Sequence, residues 1–323
     1  MRLTIIGCGL IGSKRAAAAA SHEIVAVCDP DPERRERLAR QTSARAIADW
    51  REAIAVDADA VVIATTHDQL APIALAAVEA GRHVLVEKPA GRRPAEVAPL
   101  MAAAERRNRI VKVGFNHRFH PAIARAKALA DEGRIGPLLF VRGRYGHGGR
   151  LGYEKEWRFQ REISGGGELI DQGSHLIDLS RWFLGDLTLA YGAVPSYFWP
   201  ASVEDNCFLA LAGEQNRMAW LHASWTEWKN LFVFEIMGRD GKLTIEGLGG
   251  SYGTERLTLH RMLPQMGPPE TTIWEFPFPD RSFNDEFENF VAAVEGRSPA
   301  NGDINDAHAN LVIVEAVYDR AQP

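Results

Sequence analysis

The chain has 323 residues and a formal net charge of −5, with 46% hydrophobic and 24% charged residues. That length and balance fit two globular domains with sizeable cores and exclude extended disorder, and an acidic chain with scattered basic residues argues against nucleic acid as a partner. No apolar run reaches the roughly 18 residues of a membrane span, so no membrane partner is expected. Three cysteines, Cys8, Cys28 and Cys207, lack metal-ligand spacing and point to a reducing, cytoplasmic setting with no bound metal.

Residues 2–6 are a short apolar run suited to a buried parallel strand, and residues 13–20, with five consecutive alanines, form helix readily. Between them lies Gly7-x-Gly9-x-x-Gly12. In such a turn the first glycine permits the tight bend and the second lets backbone approach a pyrophosphate. The third lets the helix pack close to the strand with its N-terminus toward the phosphates. Gly7, Gly9, Leu10, Ile11 and Gly12 are therefore candidate cofactor-binding residues. A second strand, 23–28, ends at Asp29, whose carboxylate can accept from ribose hydroxyls and would repel a 2′-phosphate. That favours NAD over NADP, although Arg34 and Arg35 stand close enough to offer a phosphate partner.

Further strands are predicted at 44–47, 60–64, 83–86 and 110–114, with helices at 69–80, stopped by Gly81, and 95–107. Strand and helix alternate, which predicts an α/β, doubly wound parallel sheet forming a dinucleotide-binding domain over residues 1–118. The fifth strand runs into Glu87-Lys88-Pro89, at the carboxyl end where such sheets hold ligands. A surface ion pair at a strand end is the other reading of those charges.

The pattern then changes. A helix at 122–132, a strand at 137–145, a glycine-rich loop, a helix and seven strand-like runs between 188 and 276 predict an α+β domain over residues 119–323. Its sheet should be open and largely antiparallel, closed by helices at 285–295 and 306–319. Helical spacing from 169 to 184 places Asp171 and His175 on one face. A neutral imidazole suits removal of an alcohol proton near neutral pH, and a nearby carboxylate can orient it. A solvated helix pair and a metal site remain as alternatives for these two residues. The triple glycine Gly165-Gly166-Gly167 would let backbone come close to a ligand. The loop 144–158 carries Tyr145, Tyr153, Trp157 and Arg158, groups that suit a polyol or sugar wall, and Trp225 to Lys229 offers a second wall. Arginines at 144, 150 and 158 admit a phosphate or nucleotide on that sugar.

Taken together, Gly7-x-Gly9-x-x-Gly12, Glu87-Lys88-Pro89, Gly114-Phe115-Asn116-His117-Arg118-Phe119, Gly165-Gly166-Gly167 and Asp171-x-Gly173-x-His175 resemble the Gfo/Idh/MocA oxidoreductases over nearly the whole chain. The resemblance implies a Rossmann domain followed by a domain for substrate binding and oligomerisation. It also implies hydride transfer between NAD and a hydroxyl or keto carbon of a sugar, cyclitol or nucleotide-sugar. Lys88, Asp171 and His175 then become the catalytic residues, and the Lys88–Pro89 bond is often cis. His175 would accept the hydroxyl proton, Asp171 would hold His175, and Lys88 would hydrogen-bond the reacting oxygen. Glu87, Lys88 and Asn116 fall beside the cofactor, with Lys88 and Asn116 also reaching substrate. The loop after the fourth strand departs from the common Thr-Pro pattern, reading Ala64-Thr65-Thr66-His67, with Thr65 placed at the cofactor. The resemblance further implies a homodimer or homotetramer paired through the open sheet, to which Phe198, Trp199 and Trp220 are suited. Two other functions fit the same residues: a glycosidase that uses transient oxidation by NAD, and a non-catalytic dinucleotide sensor.

Overall fold

The computed structural model describes residues 1–265 and 267–321. The chain divides into two compact units, Met1–Asn116 with Phe283–Leu311, and His117–Ser282 with the chain from Val312 on. In the first unit β1 (Arg2–Ile6), α1 (Leu10–Ala18), β2 (Glu23–Cys28), α2 (Pro32–Thr42), β3 (Arg45–Ile47) and α3 (Trp50–Ala55) come first. They are followed by β4 (Ala60–Ile63), α4 (His67–Glu79), β5 (His83–Glu87), α5 (Pro94–Arg107) and β6 (Val111–Gly114). The six strands are all parallel, in the order β3-β2-β1-β4-β5-β6. Strand order reverses between β1 and β4, and this switch point is where a doubly wound sheet opens a crevice at its carboxyl ends. Leu3, Ile5, Val62 and Leu85 are buried on the central strands, which read as unbroken apolar runs because both sheet faces are covered. Helix α2 starts where the sequence chemistry says it should: Asp31 accepts from the backbone N–H of Glu33 and Arg34, with Pro32 in the first turn.

The second unit holds α6 (Pro121–Asp131), β7 (Leu138–Gly146), α7 (Arg161–Ser164), a π turn at Leu169–Gly173 and α8 (Ser174–Leu184). Seven strands follow: β8 (Leu187–Ala193), β9 (Asn206–Gly213), β10 (Met218–Ser224), β11 (Leu231–Gly238), β12 (Gly241–Glu246), β13 (Glu255–Arg261) and β14 (Glu270–Phe276). They join β7 in one sheet, ordered β14-β13-β12-β11-β7-β10-β9-β8. Every neighbouring pair is antiparallel except β7 with β10. Strand β11 shows the alternation of a half-buried sheet, with Phe232, Phe234 and Ile236 buried and Val233 and Glu235 on the other face. Leu139, Met218 and Trp220 are left exposed.

The last helices are α9 (Ser282–Val294) and α10 (Ile304–Ala321). A single boundary after residue 118 does not describe the chain, because Phe283–Leu311 groups with the first unit. The reason is apolar and electrostatic at once. Phe287, Phe290 and Val291 of α9 belong to the same core as Leu3, Ile5, Val27 and Leu85, and Glu286 accepts from Arg15 Nη1 at 2.5 Å. The Arg15 Nε also donates to Glu87 at 2.7 Å. Lys112 Nζ lies 3.6 Å from Glu286 and donates to the Asn301 carbonyl. Arg15, Lys112 and Glu286 are almost wholly buried. Burial pushes the Glu87 carboxyl up, and Arg15 opposes that shift.

Cys8, Cys28 and Cys207 are free and buried, and desolvation pushes Cys8 and Cys28 up to about 12, so none of them serves as a thiolate near neutral pH. Among the described residues no helix is long and apolar enough to cross a membrane.

Removing the carboxylate of Glu286 takes one anionic partner from each of two buried cations, Arg15 and Lys112. The Glu286→Ala variant should lose roughly 3–5 kcal/mol of stability, read as a lowered urea midpoint. A midpoint equal to that of the unmodified chain would show that the network holds nothing.

Candidate active site

The turn after β1 is built by close packing. Gly7 has φ +95°, and a Cβ there would stand 2.3 Å from the Ala64 carbonyl at the end of β4; a Cβ on Gly12 would stand 1.8 Å from the Gly7 carbonyl. These two glycines are needed by the protein itself. Gly9 is different, because a Cβ on it would meet nothing within 4 Å. Gly9 is the N-cap of α1 and has no side-chain cap, and no acid occupies the first turn. Free N–H donors at a helix N-terminus beside open space are what a pyrophosphate requires. Leu10 is 75% exposed at that terminus and Ile11 is half-buried. The site therefore fits a dinucleotide.

Asp29 is buried and braces the turn. Its Oδ2 accepts from the Cys8 N–H at 2.8 Å and its Oδ1 from the Asp31 N–H at 2.9 Å. The nearby arginines have work of their own: Arg34 lies 3.2 Å from Asp31, Arg35 donates to the Pro30 carbonyl at 3.0 Å, and Arg37 to the Cys8 carbonyl at 2.9 Å. Thr65 follows directly on the Ala64 carbonyl that crowds Gly7, which places it at the same switch point. At the end of β5, Glu87 is turned to Arg15, and Lys88 and Pro89 follow through a cis peptide bond. Asn116 opens a short 3-10 turn, Asn116–Phe119, just beyond β6.

In the second unit the helix predicted from 169 begins as the π turn and becomes α-helical only at Ser174. Asp171 lies on the turn, where its Oδ2 accepts from Arg158 Nε at 3.1 Å. His175 lies in the first turn of α8 and is 5% exposed. Its ring stacks on His117, centroid to centroid 3.7 Å and 18° from parallel. Tyr145 stands edge-on to His175 at 6.3 Å and packs against Tyr252 at 5.1 Å. Gln172 Nε2 donates to the Tyr252 hydroxyl at 3.2 Å. Burial pushes the Tyr145 phenol well up, with Tyr252, Asp171 and Glu168 adding to the shift, so it stays protonated at neutral pH. The unit thus presents a buried imidazole, a neutral phenol and an arginine-held carboxylate together.

Several sequence expectations take a different form. Arg158 holds Asp171 and lies 3.4 Å from Glu156, so its guanidinium is engaged within the chain. Tyr153 is 4% exposed and belongs to a small core with Phe159, Val203 and Trp225, against which Trp199 packs. Tyr153, Trp225 and Trp199 are therefore packing residues rather than walls for a ligand or an oligomer face. Trp157 is half-buried, with the Arg158 guanidinium 4.7 Å over its ring. The triple glycine is explained by packing. A Cβ on Gly166 would stand 1.9 Å from the Tyr318 hydroxyl, and one on Gly167 at 1.9 Å from the Glu204 carbonyl. The Glu204 carboxylate fastens this loop, accepting from Gly167 and Leu169 N–H and from Tyr318. Two site residues went without a role in the sequence. His117 lies inside the motif Gly114 to Phe119, whereas Tyr252 sits in a glycine-rich stretch with no local signal.

A parallel sheet of this order with an uncapped glycine turn at its switch point defines a dinucleotide-binding α/β protein. The family model described as "Oxidoreductase family, NAD-binding Rossmann fold" matches residues 1–115, and the GFO/IDH/MocA C-terminal domain model matches residues 123–244. The chain belongs to the Gfo/Idh/MocA oxidoreductases, a family of NAD-binding enzymes. It is 36% identical over 178 residues to levoglucosan dehydrogenase of Pseudarthrobacter phenanthrenivorans, a match covering 54% of this chain and 45% of that protein. The match thus spans about half the length of that relative. Identity to D-glucoside 3-dehydrogenase of Escherichia coli is 25% over 345 residues, covering 100% of this chain and 95% of the other. A solved levoglucosan dehydrogenase in complex with NADH and L-sorbose shares the fold, with TM-score 0.87, 24% identity and coverage of 99% and 97%.

The contrast between two glycines makes a test. Gly9→Ala should leave thermal stability intact and weaken NADH binding, because its methyl fills only space that a ligand would occupy. Gly12→Ala should lower the melting temperature as well. Equal effects of the two on stability would contradict this division of roles.

Proposed function

We propose that the chain is an NAD-dependent dehydrogenase or reductase acting on the CH–OH group of a sugar or cyclitol. The observation that carries this reading is the uncapped α1 N-terminus with open space at Gly9, braced by the Asp29 carboxylate. Gly7, Gly9, Leu10, Ile11, Gly12, Asp29 and Thr65 hold the dinucleotide, with Glu87, Lys88 and Asn116 at its nicotinamide end. When bound, NAD supplies the hydride acceptor. His175 takes the hydroxyl proton, and Lys88 donates a hydrogen bond to the oxygen as charge builds on it. Asp171, fixed by Arg158, keeps a negative charge near the imidazolium that forms.

The substrate reading rests on charge as well as on relatives. Arg150 is paired with Glu156 and Arg158 with Asp171. Arg144 precedes Tyr145 on β7, and neighbouring residues of a strand face opposite sides. The arginines that could have taken a phosphate are thus occupied or turned away, which supports an uncharged sugar or cyclitol over a nucleotide-sugar. Relatives named levoglucosan, D-glucoside 3- and inositol 2-dehydrogenase support the same class. Tyr145, Trp157 and Asn116 would line that substrate. The exposed Leu139, Met218 and Trp220 support pairing of subunits into a homodimer or homotetramer through the larger sheet.

Absorbance at 340 nm with NAD or NADP against a panel of sugars, anhydrosugars and inositols tests the proposal. NAD should be preferred, and His175→Ala and Lys88→Ala should each lower kcat by about 100-fold or more. Sugar release without NADH would identify a glycosidase, and full turnover by His175→Ala would refute the assigned base.

A further inference from the structure

Three histidines of the second unit, His117, His120 and His175, lie buried within one ring cluster, and only His175 has so far been given a task. His117 is its centre. His175 covers one of its faces at 3.7 Å, while Tyr145 at 5.3 Å, His120 at 5.5 Å and Phe232 at 6.1 Å close around it. The neighbours are themselves fixed. His120 Nδ1 lies 2.7 Å from Glu255 Oε1, and Glu255 also accepts from the Gly249 and Ala122 N–H groups. His117 therefore cannot swing away without opening a packed core, and its imidazole is the surface against which His175 is laid.

We propose that His117 is a positioning residue of the base: it sets the plane of the His175 ring and restricts the stacked pair to a single proton. The proposal rests on His175 being the base. A neutral imidazole stacked on an imidazolium is favourable, because the ring face is electron-rich. Two imidazolium rings at this separation repel, so protonation of one ring opposes protonation of the other. The proton that His175 receives from substrate is thus accepted only while His117 is neutral. The charged and titratable groups around the pair include Glu168 and Asp171 before α8, Arg158 bound to Asp171, Tyr145 on β7 with Tyr252 against it, and His120 with Glu255 and Asp280 beside it. Arg118, next to His117 in sequence, and Asp178, on α8 three residues after His175, are bonded to each other at 2.9 and 2.6 Å and neutralise one another. At 3.7 Å the two rings interact directly, and their mutual repulsion adds to whatever these groups contribute.

The test uses the full chain labelled with carbon-13 in histidine, titrated by NMR without substrate, as the unmodified protein, His117→Phe and His175→Phe. Phenylalanine keeps the stack and deletes one titrating ring. Proton coupling requires that the midpoint of at least one remaining ring rise by about one pH unit or more. Both midpoints unchanged within error would overturn the coupling, whatever the enzyme's reaction. For positioning, His117→Ala should lower kcat about tenfold or more with KM for NAD retained, and His117→Phe should recover most of it. Unaltered kcat in His117→Ala, or a His117→Phe no better than His117→Ala, would overturn positioning. Failure of the base assignment is read separately, from turnover by His175→Ala.

Discussion

Arg15 is one guanidinium placed between two carboxylates, almost without access to water. It lies on the helix that starts at the glycine turn. Glu87, one of its partners, immediately precedes Lys88, and the other, Glu286, arrives from nearly 200 residues further along. Taking these charges out of water costs several kcal/mol per ion, so the arrangement holds only when all members are in place. Gly114 belongs to the same constraint, since a Cβ there would stand 2.7 Å from Arg15 Nη2 and 2.9 Å from Glu87 Oε2. The glycine turn and the strand end that carries Lys88 are thereby fixed to one another within the first unit. It also explains why α9 belongs to that unit although strands of another sheet precede it.

The second unit solves a similar problem with other chemistry. The buried imidazole of His175 is held by ring packing, the Asp171 carboxylate by Arg158, and the loop before them by Glu204 and Tyr318. Burial raises Glu204, and hydrogen bonds from Tyr318 and from the Glu204, Leu169 and Gly167 backbone N–H groups oppose that shift. Features that look made for ligands, such as consecutive glycines and an aromatic-rich loop, are largely spent on this internal fastening. His175, Asp171 and Tyr145 are each backed by a partner that limits its motion.

Much of this was legible beforehand. Apolar runs, helix caps and the glycine turn are local signals, so the parallel sheet, the Asp29 position and most strands of the second sheet fell within a residue or two of their places. The antiparallel character followed from short turns such as Asp240-Gly241. What local patterns could not carry were tertiary choices. Nothing within α9 says which of two cores its phenylalanines will enter, and Tyr153, Trp199 and Trp225 look equally suited to a sugar or to one another. Helical spacing from Leu169 gave no sign of the π turn. The stacking of His117 on His175 joins residues on separate elements, and Arg158 reaches Asp171 across an intervening loop. Such pairings depend on geometry that spacing along the chain does not encode.

Hydride transfer between a CH–OH carbon and NAD is the reaction proposed for this chain. It is tested most directly by supplying NAD and carbon-deuterated sugars and inositols and weighing the reduced cofactor by mass spectrometry. Direct transfer delivers NADH carrying one deuterium, formed in step with the oxidised sugar. Reduced cofactor without the label, or consumption of sugar with none formed, would contradict it.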